Sequence, residues 1–231
     1  MRRGLFIALA LAVALCGAGS VIAGAQERIG RAAVVRNEVS QISPRVMRIS
    51  TGDEIFRDET VRTAADSDAR FVLRDDTNLS LGPGSTLKLD RAVFSGEISA
   101  GDIAVRLTSG AFRFVTGNST KESYKIVTPL ATIGVRGTTL DFLIQRFRNI
   151  AVLQDGRARV TAGGQFVDLL YPGDSVIITA TGGKIQITKV SSPPWTFAGA
   201  CAANSALCSQ TRYAELTREI DVDFASVLCG K

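Results

Sequence analysis

From about Val34 to Val190 the chain is written in short period-two stretches broken by turn formers, a pattern that admits little besides β-structure. Ala69-Arg70-Phe71-Val72-Leu73-Arg74 alternates, as does Asn78-Leu79-Ser80-Leu81, and Asp75-Asp76-Thr77 between them supplies turn formers, so an antiparallel hairpin is predicted. Further runs follow at Ser85–Leu89, Ile103–Leu107, Ala111–Val115, Tyr124–Thr128, Thr139–Ile144, Ala151–Leu153, Ala158–Thr161, Phe166–Leu170, Ser175–Thr179 and Lys184–Lys189. Strands at this spacing, with glycines read as turns between them, predict one all-β domain over residues 26–190, either a sandwich or a solenoid-like stack. Gly-Asp recurs at Gly52-Asp53, Gly101-Asp102 and Gly173-Asp174, each before an apolar run, as if one turn were reused.

The chain contains no histidine. That removes the usual general base of a Ser/His/Asp or Cys/His site and the usual zinc ligand, which excludes most familiar hydrolase chemistries and makes a metal site unexpected, while a carboxylate pair of the glycoside-hydrolase kind is left open. Asp66-Ser67-Asp68 and Asp75-Asp76-Thr77-Asn78 carry oxygen ligands but lack calcium-loop spacing, and they read as solvated turns.

Arg2 and Arg3 precede an apolar run from Leu5 to Cys16, and Ala23-Gly24-Ala25 offers small residues before Gln26. Residues 1–25 therefore read as a bacterial Sec-type signal peptide cut between Ala25 and Gln26, which predicts a periplasmic or secreted protein. An uncleaved leader is the one route to a membrane anchor. Without the leader, 25 basic and 22 acidic residues remain, a net charge of +3. So small an excess, with few aromatics, does not point to nucleic acid.

Ser191-Ser192-Pro193-Pro194 ends the strand pattern, and residues 191–231 read as a cysteine-containing cap. Within it Tyr213, Leu216, Ile220, Phe224 and Val227 fall at helical spacing, which predicts one amphipathic helix closed by Gly230. Of the three cysteines left after processing, Cys208 and Cys229 would stand about 30 Å apart across that helix if it is straight. Cys201 with Cys208 is the preferred disulfide. Cys201 with Cys229 requires the chain to run back along the helix, and the odd cysteine leaves intermolecular pairing open.

Arginines alternate with apolar residues at Arg70 and Arg74, at Arg113, and at Arg157 and Arg159. Alternation sends them away from the core, which makes a basic sheet face for an acidic partner or an anionic envelope polymer, against the plainer reading of arginines paired with neighbouring carboxylates.

The most informative stretch is Thr128-Pro129-Leu130-Ala131-Thr132-Ile133-Gly134-Val135-Arg136-Gly137-Thr138-Thr139. It reads as a strand end, a proline-marked bend and a tight Gly134 to Gly137 crossing. Together with Gly52-Asp53-Glu54-Ile55 and the hairpin Thr77-Asn78-Leu79-Ser80-Leu81-Gly82-Pro83-Gly84-Ser85, it closely resembles the FecR domain family, from roughly Ile49 to Ile178. The hairpin departs in having Asp75-Asp76-Thr77 where a glycine is usual, which changes the turn chemistry and not the assignment. The resemblance implies an extracytoplasmic all-β binding domain with no catalytic residue and no cofactor, known best as the periplasmic part of transmembrane sigma-factor regulators. Because only Met1–Gly4 precede the apolar run, the expectation is a free-standing secreted member without an anti-sigma segment. Its partner is expected to be a protein of the cell envelope, reached by strand addition at sheet edges, with peptidoglycan or polysaccharide as the alternative. Thr128, Pro129, Gly134, Arg136, Gly137 and Thr138 are then the family signature, expected to be structural, with Arg136 buried against turn carbonyls.

Overall fold

The computed structural model describes residues 27–92, 103–118, 124–210 and 212–216. Its strands are β1 (Arg28–Arg36), β2 (Val39–Ser43), β3 (Met47–Arg48), β4 (Glu54–Phe56), β5 (Thr60–Thr63), β6 (Asp68–Leu73), β7 (Asn78–Leu81), β8 (Thr86–Ala92), β9 (Ile103–Val115), β10 (Tyr124–Val127), β11 (Thr132–Ile144), β12 (Arg148–Ala162), β13 (Gln165–Leu169), β14 (Ser175–Thr181) and β15 (Lys184–Val190). The predicted β6–β7 hairpin is present, and Asp76 takes the left-handed conformation, φ 68°, that glycine usually fills.

All of these strands hydrogen-bond into one unclosed sheet, and apart from the parallel β9–β10 pair the pairings are antiparallel. The sheet folds back on itself because three strands serve two layers. The second half of β9 lies between β7 and β11, whereas its first half lies between β8 and β10. Likewise β11 pairs through residues 139–144 with β9 and through residues 132–135 with β10, while β12 follows it along both halves. One layer thus runs β4-β1-β6-β7-β9-β11-β12-β14-β15 and the other β3-β2-β5-β8-β9-β10-β11-β12-β13. This antiparallel fold-over gives the sandwich side of the expectation, not a stack of parallel coils.

The strands that cross between layers have 13, 13 and 15 residues, longer than the separate short runs expected at Thr139–Ile144, Ala151–Leu153 and Ala158–Thr161. The difference lies in the glycines. Gly137 and Gly156 do not end strands; they have φ of +57° and +83° where the β11–β12 register shifts, so both strands bend without separating. At Gly156 a Cβ would stand 1.9 Å from the carbonyl oxygen of Gly137, so the two backbones meet where only glycine fits.

Between the layers lies a single apolar core, in which Phe71, Leu81, Phe114 and Phe142 from one layer meet Val61, Leu87, Leu107 and Val160 from the other. Glu59, between β4 and β5, is 3% exposed and accepts the Phe56 N–H at 3.1 Å. Burial pushes its carboxyl above the ordinary value. A carboxyl raised by folding contributes its stability below the unfolded pKa and loses it as pH rises through the folded one. Glu59→Gln, which keeps the acceptor, is therefore expected to raise the melting temperature slightly near neutral pH, with no gain below about pH 4. An equal gain at both pH values in thermal melts would show that the charge is not the cause.

After β15, residues 195–209 lie across the outer face of the first layer. The helix α1 (Ala198–Ala203) and a 3-10 turn (Ser205–Leu207) hold Phe197 and Leu207, both buried. Residues 213–216 are helical, and the rest of the predicted amphipathic helix, with Cys229, lies outside the described residues, as do residues 1–25 and the Ala25–Gln26 site. Among the described residues no helix is long and apolar enough to cross a membrane.

Candidate functional site

The signature divides into a scaffold and a surface. Thr128 closes the turn from β10 to β11: its Oγ1 accepts the Ala131 N–H at 3.0 Å and lies 2.8 Å from the buried Asn149 amide, while Pro129 is exposed at the corner. Thr138, 2% exposed, staples the bend. Its Oγ1 donates to the Arg157 carbonyl at 2.8 Å and accepts the Arg136 N–H at 3.0 Å, and its own N–H donates to Thr116 Oγ1 at 2.8 Å. Thr128, Gly137 and Thr138 thus hold the fold.

Gly134 and Arg136 do not. Both point outward from the second layer, and Arg136 is exposed, which corrects the expectation of a buried arginine against turn carbonyls. The reason is alternation: Ile133 and Val135 face the core, so residues 134 and 136 face solvent. Pairing then builds a basic surface. Arg136 stands directly opposite Arg157, and Gly134 lies between Lys125 on β10 and Arg159 on β12. Arg159 is held by Asp168 on β13, at 2.7 and 2.9 Å, and its guanidinium lies 4.6 Å from the centre of the Phe166 ring. That guanidinium keeps the Asp168 carboxyl below its ordinary pKa. Around Gly134 is a shallow depression of about 520 Å³ bordered by Tyr124, Arg136, Arg157, Leu170 and the paired Arg159 and Asp168.

The arginines expected on one face are divided between two. Arg70 and Arg113 lie on the first layer under the segment that follows β15. Arg70 is 5% exposed and donates to Asn78 Oδ1 at 3.0 Å and to the Ser209 carbonyl at 2.5 Å. Arg113 pairs across the strand with fully buried Asp141, at 2.6 and 2.8 Å. Cys201 and Cys208 are bonded, with Cα atoms 5.6 Å apart, and Arg113 Nη1 faces both sulfurs at 3.5 and 3.4 Å. Phe197 N–H donates to Asp141 at 2.9 Å, Ser80 Oγ donates to the Leu207 carbonyl, and Asn204 reaches Asp68 at 3.0 Å. Asp68, expected in a solvated turn, is instead 2% exposed and paired with Arg36. Arg74 is exposed beside the β6–β7 turn. Only Arg157 and Arg159 of the expected face share a surface with the signature. Lys125 was missed because nothing local in Tyr124-Lys125-Ile126 says which strand it will lie beside.

A second concavity, of about 630 Å³, is lined by Gln41, Met47, Glu54, Phe56 and Glu59 among others, away from the signature. Among the described residues no group of three or more His, Cys, Asp or Glu side chains is placed to hold a metal ion.

No curated protein matches the sequence. Two crystal structures of a candidate anti-sigma factor from Parabacteroides distasonis ATCC 8503, at 2.50 and 1.65 Å resolution, share the fold. They superpose with TM-scores of 0.51 and 0.50 at 16% identity over 63% and 62% of this chain. The match spans 64% of the length of each of those chains. Residues 59–161, from the approach to β5 to the end of β12, match the family model described as FecR protein. That segment contains the hairpin, the bent strands and the Arg136 surface, and it is this part of the chain that is similar to the FecR family.

Proposed function

We propose that this protein, which matches the FecR family over residues 59–161, acts in envelope signalling or assembly, in the periplasm or outside the cell, as a non-enzymatic module that works by binding another protein. The observation that carries the reading is the exposure of Arg136: the signature spends its buried residues on holding a bend and presents its arginine outward. The family match and the shared fold with a candidate anti-sigma factor support a regulatory role over a catalytic one. A rigid sheet surface suits recognition because little conformational entropy is lost when a partner docks.

Photo-crosslinking tests this. With a photoreactive side chain replacing Arg136 in the full chain, expressed in its own cells, a discrete protein adduct is expected, absent when the probe replaces exposed Lys184 on β15. Turnover of an envelope glycan by the purified chain, or the same adducts from both positions, would overturn the reading.

A further inference from the structure

We propose that the depression around Gly134 is a docking site for an acidic, amphipathic segment of a partner protein, with carboxylates on Arg136 and Arg157 and an apolar side chain against Leu170. The proposal rests on the protein-contact reading above and names the chemistry of the partner.

The first support is an unfavourable pairing. Arg136 and Arg157 are directly opposed on neighbouring antiparallel strands, where like charges repel, and among the described residues neither guanidinium has a hydrogen-bonded or ion-paired partner. Three other arginines are paired across strands with carboxylates, Arg113 with Asp141, Arg159 with Asp168 and Arg36 with Asp68, although Lys88 and Arg106 also stand opposite one another on β8 and β9. The two guanidiniums of Arg136 and Arg157, side by side on the rim of the depression, present a site an external carboxylate can complete. Two planar forks at adjacent positions suit bidentate carboxylate recognition, and Lys125 adds a third cation across Gly134.

The second support is Gly134 itself. Its φ is not positive, and a Cβ there would meet nothing within 4 Å, so neither backbone conformation nor packing calls for glycine. A bare backbone position in the middle of a strand, with Lys125 and the Asp168-paired Arg159 on either side and Arg136 two residues on, is what close approach by a ligand needs. The floor is also rigid, since Thr138 locks the bend next to it.

The rim decides between kinds of polyanion. Leu170 and Tyr171 are 45% and 70% exposed, and Phe166 is 61% exposed. Leu170 borders the depression itself. An acidic peptide with interspersed apolar residues covers both the cations and the leucine, whereas a carboxylated glycan answers the charge and leaves the leucine wet.

The test uses the full chain and a short fluorescent peptide of repeated Glu-Glu-Leu, followed by anisotropy. Binding is expected at low ionic strength and should weaken as salt rises. The double variant R136A/R157A, and separately G134V, should each reduce affinity roughly tenfold or more without lowering the melting temperature, since the first removes a repulsion and the second fills open space. Absence of peptide binding, or binding indifferent to these variants, would overturn the proposal. So would tighter binding of polygalacturonate or soluble peptidoglycan fragments that is lost in the same variants, because the surface would then belong to glycans. If protein adducts at position 136 persist in cells while the peptide fails to bind, acidic docking falls and the protein-contact reading stands.

Discussion

Gly156→Val is expected to leave little or no folded protein. The new Cβ would stand 1.9 Å from the Gly137 carbonyl oxygen and 2.8 Å from the Thr138 Cα, all backbone, so no side chain can rotate away. The residue would also have to hold φ +83°, which a β-branched side chain does not tolerate. Backbone strain and overpacking together cost roughly 2–6 kcal/mol, against a total stability of about 5–15 kcal/mol for a domain of this kind. The position is also where β12 passes between the layers, so relieving the clash means unpairing β11 from β12 on both sides of the bend. Soluble yield and the far-ultraviolet circular dichroism of whatever folds are the measurements. Gly134→Ala, at an open position with ordinary φ, is the control and should melt with the parent. A well-folded Gly156→Val protein with a parental melting temperature would mean that the bend is looser than described.

The second large effect is at Asp141. It is fully buried on the outer side of the first layer, takes both ends of the Arg113 guanidinium and accepts the Phe197 N–H. Asp141→Ala therefore strips a mostly buried arginine of its counter-charge and a buried backbone donor of its acceptor. Removing one member of such a pair typically costs about 3–5 kcal/mol. Urea unfolding of the variant should show a loss of that size. Limited proteolysis should then cut within residues 195–209, because that segment is tied down through Asp141 and the arginine beneath the disulfide. The double replacement Arg113→Met with Asp141→Leu should recover most of the loss, since it leaves no uncompensated charge. If Asp141→Ala alone costs less than about 1 kcal/mol, water already solvates Arg113 and the pair does not secure the segment.

Much of this architecture is legible along the chain. Alternation in residues 69–74 and 78–81 gives the β6–β7 hairpin, and two neighbouring aspartates are enough to seat the turn at Asp76. Cys201 and Cys208 are close in sequence, so their pairing is largely a matter of loop length. The signature was recognisable because its small residues serve a local bend. Alternation also placed each arginine on the outside of its own strand, but it carried no information about which outside. Arg70 and Arg113 ended beneath the segment after β15, Arg157 and Arg159 on the opposite layer, and the two pairs never meet.

Local periodicity and turn chemistry act over a few residues, so the sequence by itself determined an all-β chain, the hairpin and the family motif, and favoured Cys201 with Cys208 among the disulfides it left open. Which glycines bend a strand and which end it depended on the backbone that arrives from elsewhere, as Gly137 and Gly156 show by facing one another. The same holds for the neutralised Arg113 and for Arg136 and Arg157, which have no partner among the described residues. Their surroundings come from strands brought side by side after the chain has turned back on itself, and whether an arginine meets a carboxylate or another arginine is settled only by that register.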